Sequence, residues 1–465
     1  MQAVRNNINK HIMKKLLYFA AAAALVFGAV ACNGNKEEVN EQGLVDDGGK
    51  KLTPDAQKSK IEETADALMS DLDLKVWQSD YDLVMNTVAE MQEKEVDASA
   101  IEEYIQSIVD AWTIQTGETP HEVYETVIKL SQLKGHFTEN ANGSFDKEDA
   151  DDLQVTIFSG NKTITATASV KDRDEKIYMS SNGYASENYS EQETVYINVP
   201  EKASLGIAVD GKSIASLEIV LDFTDVNKDG KVSEYDKFGL GYAMTVGAYT
   251  LAIEQADYAT DAASVKMSFK RDGKLVLGVD AKAAAKVVTY DSEKDGRNGF
   301  EVIPVSATAN IDIEGKIQLA GNLPSGEALQ AAQEEIEKAY SNNDYEAFKK
   351  AVDKFEKSFG VGVYYDGTNT LQATLGFEPV KYDSERPGWD LNGDGVVDGQ
   401  DVYPGGFTAS PVIRFLDGTT YAVEEYFSEK NFSSLIQKIL SWESGIEDYL
   451  GIFNKYEDSG ANPEN

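Results

Sequence analysis

Repeated Asp-Gly dipeptides between alternating runs of apolar residues constrain the fold of this chain more than any other feature. Apolar and polar or small residues alternate over 205–209 and 217–223, on either side of Asp210-Gly211. Such alternation predicts strands with one buried face, and Asp-Gly favours the two-residue hairpin turn because both of its positions need positive φ. The same design recurs around Asp272-Gly273, and further hairpin signals are Glu314-Gly315, Asp366-Gly367 and Asp417-Gly418. The sequence therefore predicts antiparallel hairpins and not a Rossmann-type parallel sheet.

Apolar residues at helical spacing indicate helices in other parts of the chain. They mark a helical region over 54–134, two helices near 326–341 and 344–358, and a last helix near 429–453. The predicted fold class is α+β, with an N-terminal helical part followed by a long antiparallel β region with interspersed helices. The predicted segments along the chain are: a signal peptide at 1–31, a flexible tether at 32–53, the helical region at 54–134, an antiparallel β region with a first acidic loop at 135–323, and an α+β region with a second acidic loop at 324–465.

Two twelve-residue acidic segments, 225–236 and 390–401, carry the strongest chemical signal. Both resemble the calcium loop of EF-hand and dockerin type, which takes oxygen ligands from alternating positions and needs a glycine at position six for its sharp turn. The glycines are Gly230 and Gly395. The ligands that the resemblance implies, with Lys231 and Val396 acting through their backbone carbonyls, are Asp225, Asn227, Asp229, Lys231 and Asp236 in the first loop and Asp390, Asn392, Asp394, Val396, Asp398 and Asp401 in the second.

These loops predict calcium as a structural cofactor rather than a signalling ion. The twelfth position is Asp in both loops, where EF-hands usually have Glu, and a predicted strand rather than a helix precedes the first loop. Pro404 prevents a long exit helix after the second loop. Without paired helices there is no groove to open on binding, so we expect the ion to brace strand ends.

The first 32 residues have the pattern of a secretion signal. Lys14-Lys15 precede an apolar run from Leu16 to Val30 that ends at Ala31-Cys32. Residues 28–32 resemble a bacterial lipobox, which implies cleavage before Cys32 and acylation of that cysteine. The next charged stretch, residues 36–38, resembles the export tag of Bacteroidota-type surface lipoproteins. Together these resemblances predict an outer-membrane lipoprotein that faces the cell exterior and contacts the membrane through its lipid anchor only.

Charge and residue usage exclude several classes of activity. The chain has 43 basic and 80 acidic residues and a net charge of −37, which repels the phosphate backbone of nucleic acids. Cys32 is the only cysteine, and the predicted mature chain has two histidines, His121 and His136. Cys–His catalysis and a zinc site of the usual kind therefore lack their residues.

Binding or surface structure, without catalysis, is the predicted role, and the ligand stays open between a glycan and a protein. One alternative is a glycan-binding component of a polysaccharide-uptake system, in which Trp389 beside the second loop would stack on a sugar ring. Tyr184 and Tyr189, in a segment over 181–194 that its composition predicts to be an exposed loop, are further ligand-binding candidates. The sequence is also compatible with a glycoside hydrolase, which needs only two placed carboxylates, and with an assembly or adhesin subunit.

Overall fold

The computed structural model describes residues 38–39, 44–93, 97–115, 121–186, 189–226, 228, 236–259, 261–292, 297–382, 406–428 and 430–438. The chain divides into two compact units, one of residues 71–278 and the other of residues 1–70 and 279–465. Strands predominate in the described residues and helices accompany them, as expected for an α+β protein.

Six α-helices have defined bounds in the described part of the chain, and residues 430–438 are also helical. In chain order they are α1 Pro54–Asp71, α2 Leu74–Glu93, α3 Ser99–Trp112, α4 Gly326–Ser341, α5 Tyr345–Lys357 and α6 Val423–Tyr426. Among the residues described, no helix combines the length and apolarity needed to cross a bilayer. The bounds of α4 and α5 confirm the two helices predicted for this stretch.

Twenty strands make up most of the described backbone. They are β1 Glu38–Val39, β2 Val45–Asp46, β3 Thr113–Gln115, β4 His121–Ile128, β5 Gly135–Glu139, β6 Phe145–Glu148, β7 Leu153–Ser159, β8 Lys162–Ser186, β9 Tyr189–Val209, β10 Lys212–Thr224, β11 Lys237–Val246, β12 Tyr249–Ala259, β13 Ala262–Arg271, β14 Lys274–Ser292, β15 Arg297–Ile313, β16 Ile317–Leu323, β17 Gly360–Tyr365, β18 Ala373–Tyr382, β19 Gly406–Phe415 and β20 Thr420–Ala422.

The unit of residues 71–278 contains a mixed sheet. Its strand order is β13-β12-β11-β10-β9-β8-β7-β5-β6, and all neighbours are antiparallel except β7 and β5. Strand β4 joins the far part of β9 in parallel, and β3 pairs with β4. One core cluster forms where Phe137 and Ile164 are fully buried and Ile101 and Tyr104 of α3 pack against them. The two parallel pairings depart from the predicted all-antiparallel region.

Four of the five predicted turns have positive φ at both residues, while at Asp417-Gly418 only the glycine does. Asp210 and Gly211 have φ of 51° and 78°, and the flanking residues Val209 and Lys212 pair across the hairpin. Both turn residues also have positive φ at three more of the predicted turns: Asp272-Gly273, Glu314-Gly315 and Asp366-Gly367. Aspartate and glycine tolerate this left-handed region far better than branched residues, which is why the dipeptide identifies these hairpins.

The other unit combines an antiparallel sheet with helices. Strands β15 to β20 pair in sequence order, each antiparallel to the next. Ser325 and Asp344 cap α4 and α5, because their side chains accept hydrogen bonds from the amides of Ala328 and Ala347 at 3.2 and 3.0 Å. The α4–α5 hairpin buries Phe348 against Phe407 of β19, with ring centroids 4.6 Å apart.

The predicted helical region ends earlier than expected. Residues 113–115 and 121–128 form strands β3 and β4, so the prediction of helix up to residue 134 is wrong for these residues. The β-branched residues of 121–128 suit a strand, and β9 supplies its partner in a register that pairs His121 with Ser190. That pairing joins residues about 70 positions apart, which helical spacing within a short window does not reveal.

Candidate metal loop and binding groove

The first acidic loop connects two neighbouring strands of the mixed sheet. Strand β10 ends at Thr224 and β11 begins at Lys237, and these two residues still pair. The loop therefore closes a hairpin, with a strand on each side of it. An ion bound here would brace two strand ends.

The first and last residues of this loop are held by backbone amides at its start. Asp236, at position twelve, is 0% exposed, and its Oδ1 accepts a 2.9 Å hydrogen bond from the amide of Val226. Oδ1 of Asp225, at position one, accepts a 2.5 Å hydrogen bond from the amide of Lys228, which has a φ of 57°. The two carboxylates that would begin and complete a calcium shell are thus tied to one turn.

The other predicted ligands lie outside the described residues. These are Asn227, Asp229 and Lys231 of the first loop and all six ligands of the second: Asp390, Asn392, Asp394, Val396, Asp398 and Asp401. Within the described ranges, no three metal-ligating side chains come together. Of the predicted ligands of the first loop, only Asp225 and Asp236 lie within those ranges. Both have the hard carboxylate oxygens that calcium requires.

A shallow groove of about 390 Å³ lies on the same hairpin and its neighbour β12. Gly239 and Gly241 of β11 line it, and the side chains of Asp222 and Val220 on β10 lie close to the places that their Cβ atoms would occupy. A Cβ on Gly239 would lie 3.0 Å from Cβ of Asp222 and 3.3 Å from Oδ1 of Asp257. These two aspartates therefore flank the glycine from the strands on either side, and Asp222 is three residues before the acidic loop begins.

Two acidic residues of β10 on the groove wall form ion pairs with neighbouring cations. Glu218 pairs with Lys202 of β9 at 2.6 Å, and Asp222 pairs with Nη2 of Arg173 at 3.0 Å. Arg173 also donates a 3.0 Å hydrogen bond to the carbonyl of Leu221. The guanidinium thus holds both the backbone and the side chain at this end of the groove.

Among the acids of the groove, Glu254 on the β12 wall accepts hydrogen bonds from the most side chains. Lys266 lies 2.9 Å from one carboxylate oxygen, while Lys270 and the hydroxyl of Ser268 approach the other at 3.1 and 3.0 Å. Hydrogen bonds from Lys266, Lys270 and Ser268 lower the pKa of Glu254 to about 2. This side chain is therefore a fixed hydrogen-bond acceptor at any physiological pH.

The stretch that follows the predicted anchor docks onto its own unit. Leu44 is 2% exposed, and Gln372 ties the strap of residues 44–53 to the start of β18. Its side chain accepts a 2.7 Å hydrogen bond from the amide of Leu52 and donates one of 3.0 Å to the carbonyl of Lys50. Tyr364 donates a 2.9 Å hydrogen bond to the carbonyl of Val45, and burial raises its pKa to about 12. The predicted flexible tether is thus docked and hydrogen-bonded from residue 44 onward.

Of the other site residues that the sequence predicts, two lie in strands and two lie outside the described residues. Tyr184 lies in β8 and Tyr189 in β9, where Ser186 pairs with Tyr189, so the predicted exposed loop over 181–194 is the far part of a long hairpin. Its serines, asparagines and glycine suggested a loop, but cross-strand pairing satisfies their backbone groups. Cys32 and Trp389 lie outside the described residues.

The groove was not predicted from the sequence, although one signal for it was present. Gly239 and Gly241 alternate within a strand, and glycine inside a strand marks either a bulge or a place where another group approaches the backbone. A register shift between Leu240 and Tyr242 accompanies them. The groove itself depends on side chains that neighbouring strands contribute.

In comparisons with known proteins, the chain matches no family model, no curated protein sequence and no solved structure.

Proposed function

We propose that this chain is a cell-surface lipoprotein, anchored through an acylated Cys32, whose body is stabilised by calcium and whose role is binding or surface structure without catalysis. The observation that carries the proposal is the hydrogen bond from the Val226 amide to the fully buried carboxylate of Asp236. It draws the last predicted ligand of the loop to the first turn, as a calcium loop requires. In this proposal a helical N-terminal part precedes the antiparallel β region, and the order of α1 to α3 before β5 to β13 supports it.

Charge supports a calcium brace. The chain carries a net charge of −37, and each loop concentrates several of its carboxylates in one short segment. A divalent cation relieves this repulsion and links the two ends of the loop. At calcium about 100 times the dissociation constant, one site stabilises the folded state by about 2.7 kcal/mol. The cell exterior, where lipoproteins of this type are exposed, supplies calcium.

The docked strap supports the anchoring part of the proposal. Glu38 and Val39 pair with residues 45–46, so six steps of chain separate Cys32 from the docked part, and they span at most about 20 Å when fully extended. The hydrogen bonds of Gln372 to Leu52 and Lys50 then fix the end of the tether to the folded body. Such an arrangement suits a body held close to the outer membrane and facing the exterior.

The groove supports binding rather than hydrolysis. A glycosidase needs a carboxylic acid with a raised pKa to protonate the leaving group. Glu254 has the opposite property, because two lysines and a serine stabilise its ionised form. Glu218 and Asp222 are each held in an ion pair with a neighbouring cation.

Thermal unfolding of the Cys32→Ser chain, with excess EDTA or with millimolar calcium, tests the proposal. We expect calcium to raise Tm of the unit of residues 71–278, which holds the first loop, by about 5–10 °C, since each kcal/mol shifts Tm by about 2–4 °C in a unit of roughly 200 residues. Asp236→Asn should lose a large part of this rise. Asp417→Asn, which removes a carboxylate from a hairpin turn outside both loops, is the matched control and should keep it. Equal melting temperatures of the starting chain in EDTA and calcium would refute the calcium brace.

A further inference from the structure

We propose that the groove over β10, β11 and β12 binds a neutral polyhydroxylated ligand, that is, a short stretch of a carbohydrate chain. This inference rests on the proposed binding function and names the ligand class. It is carried by the charge balance of the groove, its glycine floor and the excess of fixed hydrogen-bond acceptors along its walls.

Charge in the groove favours a neutral ligand. Four carboxylates line the groove, and four cations contact three of them; the acids are Glu218, Asp222, Glu254 and Asp257, and the cations are Lys202, Arg173, Lys266 and Lys270. The fourth acid, Asp257, accepts hydrogen bonds from Ser264 and Gln255. The groove is thus close to neutral within a chain of net charge −37. A cationic ligand gains little attraction there, and an anionic ligand meets the carboxylates.

The glycine floor of the groove suits the face of a sugar ring. Gly239 and Gly241 line the groove without side chains of their own, and glycine in a strand permits close approach of a ligand. Val220 and Ala243 add apolar surface beside the two glycines. A sugar ring has two corresponding parts, a face of C–H groups and a rim of hydroxyls. The floor therefore fits the face of a ring, while the walls reach its rim.

Among the side chains that line the groove, hydrogen-bond acceptors outnumber donors, since the lysines and the arginine that pair with the carboxylates lie outside the lining. Ionised carboxylates only accept hydrogen bonds, and Gln255 provides the one amide side chain among the lining residues. A complementary ligand must therefore donate, as hydroxyl groups do. An extended peptide is less suitable, because both edges of β11 are already paired with β10 and β12, so a peptide cannot add to the sheet there.

The rigidity and size of the groove agree with a carbohydrate ligand. Glu254 is held by three donors and Asp222 by a guanidinium, so little side-chain freedom is lost when a ligand binds. The volume of about 390 Å³ is near the lower end of the range of roughly 300–1,000 Å³ for small-molecule sites. A few sugar units of a longer chain would fill it.

The test uses the full Cys32→Ser chain in millimolar calcium. Native gels containing starch, mixed-linkage β-glucan, xylan or mannan identify a polymer that retards the protein, and calorimetry with the matching oligosaccharide measures Kd. Spermine, a basic peptide and heparin are the charged probes. We expect retardation by at least one neutral polymer and no binding of the charged probes.

Two variants locate the site. Gln255→Ala should raise Kd for the oligosaccharide at least about tenfold. Gln154→Ala, on β7 of the same unit and outside the groove, is the matched control and should change Kd less than about twofold. Far-ultraviolet circular dichroism and the calcium-induced rise in Tm check that both variants fold.

Three results would overturn the inference: no neutral polymer retards the protein, a charged probe binds instead, or both glutamine variants bind the oligosaccharide equally well. Binding of a charged probe that Gln255→Ala weakens would reject the carbohydrate class but keep the proposed binding function. If no probe binds but calcium still raises Tm, the groove is not a binding site and the proposed calcium brace is unaffected. Loss of the calcium effect itself is the separate failure of the proposed function.

Discussion

The amide of Val226 donates a 2.9 Å hydrogen bond to Oδ1 of Asp236, ten residues further along the chain, and the receiving side chain is completely buried. This bond closes the first acidic loop at the end of the hairpin of β10 and β11. The same hairpin forms most of the groove, and Asp222 and Gly239 pair only three residues from the two ends of the loop. Loop closure and groove shape are therefore properties of one short piece of sheet.

Removal of this closing bond should destabilise the protein even without calcium. Asp236→Ala leaves the amide of Val226 without this acceptor, and we expect a loss of about 1–3 kcal/mol in the free energy of unfolding. Urea denaturation in EDTA measures it. Asp417→Ala also removes an acceptor from a turn, at an exposed site, and should cost less. Equal losses in the two variants would show that the Val226–Asp236 bond contributes nothing special.

Stability should fall in acid as Glu254 is protonated. Its pKa is about 2 in the folded chain and near 4.5 in a model peptide, so its contribution is complete above about pH 4.5 and disappears as the pH falls towards 2. At pH 7 we expect Glu254→Gln to lose about 0.5–1 kcal/mol, because water screens this partly exposed group. The difference from the starting chain should shrink below pH 4.5.

Urea midpoints at pH 7, 4 and 3 provide the measurement for Glu254. Glu218→Gln, which removes a carboxylate with a single lysine partner, is the control and should have a smaller effect at pH 7. A Glu254→Gln difference that stays constant from pH 7 to pH 3 would be inconsistent with the lowered pKa.

The strap of residues 44–53 should loosen when Gln372 is truncated. Gln372→Ala removes the hydrogen bonds to Leu52 and Lys50, and we expect a loss of about 2 kcal/mol at roughly 1 kcal/mol for each bond. Hydrogen exchange at 44–53 should accelerate before the rest of the unit unfolds. Gln318→Ala, which removes a single 3.3 Å hydrogen bond to Asp312, is the control and should leave exchange in the strap unchanged. Unaltered exchange in Gln372→Ala would mean that other contacts hold the strap.

Acylation should depend on Cys32 alone, because the chain has no other cysteine. Metabolic labelling of a bacterial host with a fatty-acid analogue should mark the starting chain and leave Cys32→Ser unlabelled. Protease treatment of intact cells should then digest the labelled chain if it faces the exterior. Label that persists in Cys32→Ser, or a chain released in unmodified form, would contradict the predicted anchor.

The hairpins were predictable because their signal is local. Asp210-Gly211 and its counterparts need positive φ at adjacent residues, and few dipeptides other than Asp-Gly accept it. The parallel pairing of β4 with β9 was not predictable in the same way, since it depends on a register between His121 and Ser190, far apart in the chain. Local composition favoured a helix for one partner and a loop for the other.

The candidate site likewise has one part that was predictable from the sequence and one that was not. The acidic loop is a contiguous motif, so its position directly after a strand was predictable from residues 217–236 alone. The groove depends on three strands in register, which bring Asp222 and Asp257 to either side of Gly239. Only the alternating glycines were visible in the sequence, and they do not by themselves specify which side chains flank them.

The number of calcium ions that the Cys32→Ser chain binds tests the central claim most directly. Isothermal titration of the calcium-free protein should give two ions per chain, one for each acidic loop. Asp236→Asn and Asp401→Asn should each reduce the number to one, because position twelve of one loop is altered in each variant. No heat of binding, or a stoichiometry that neither variant changes, would contradict the account.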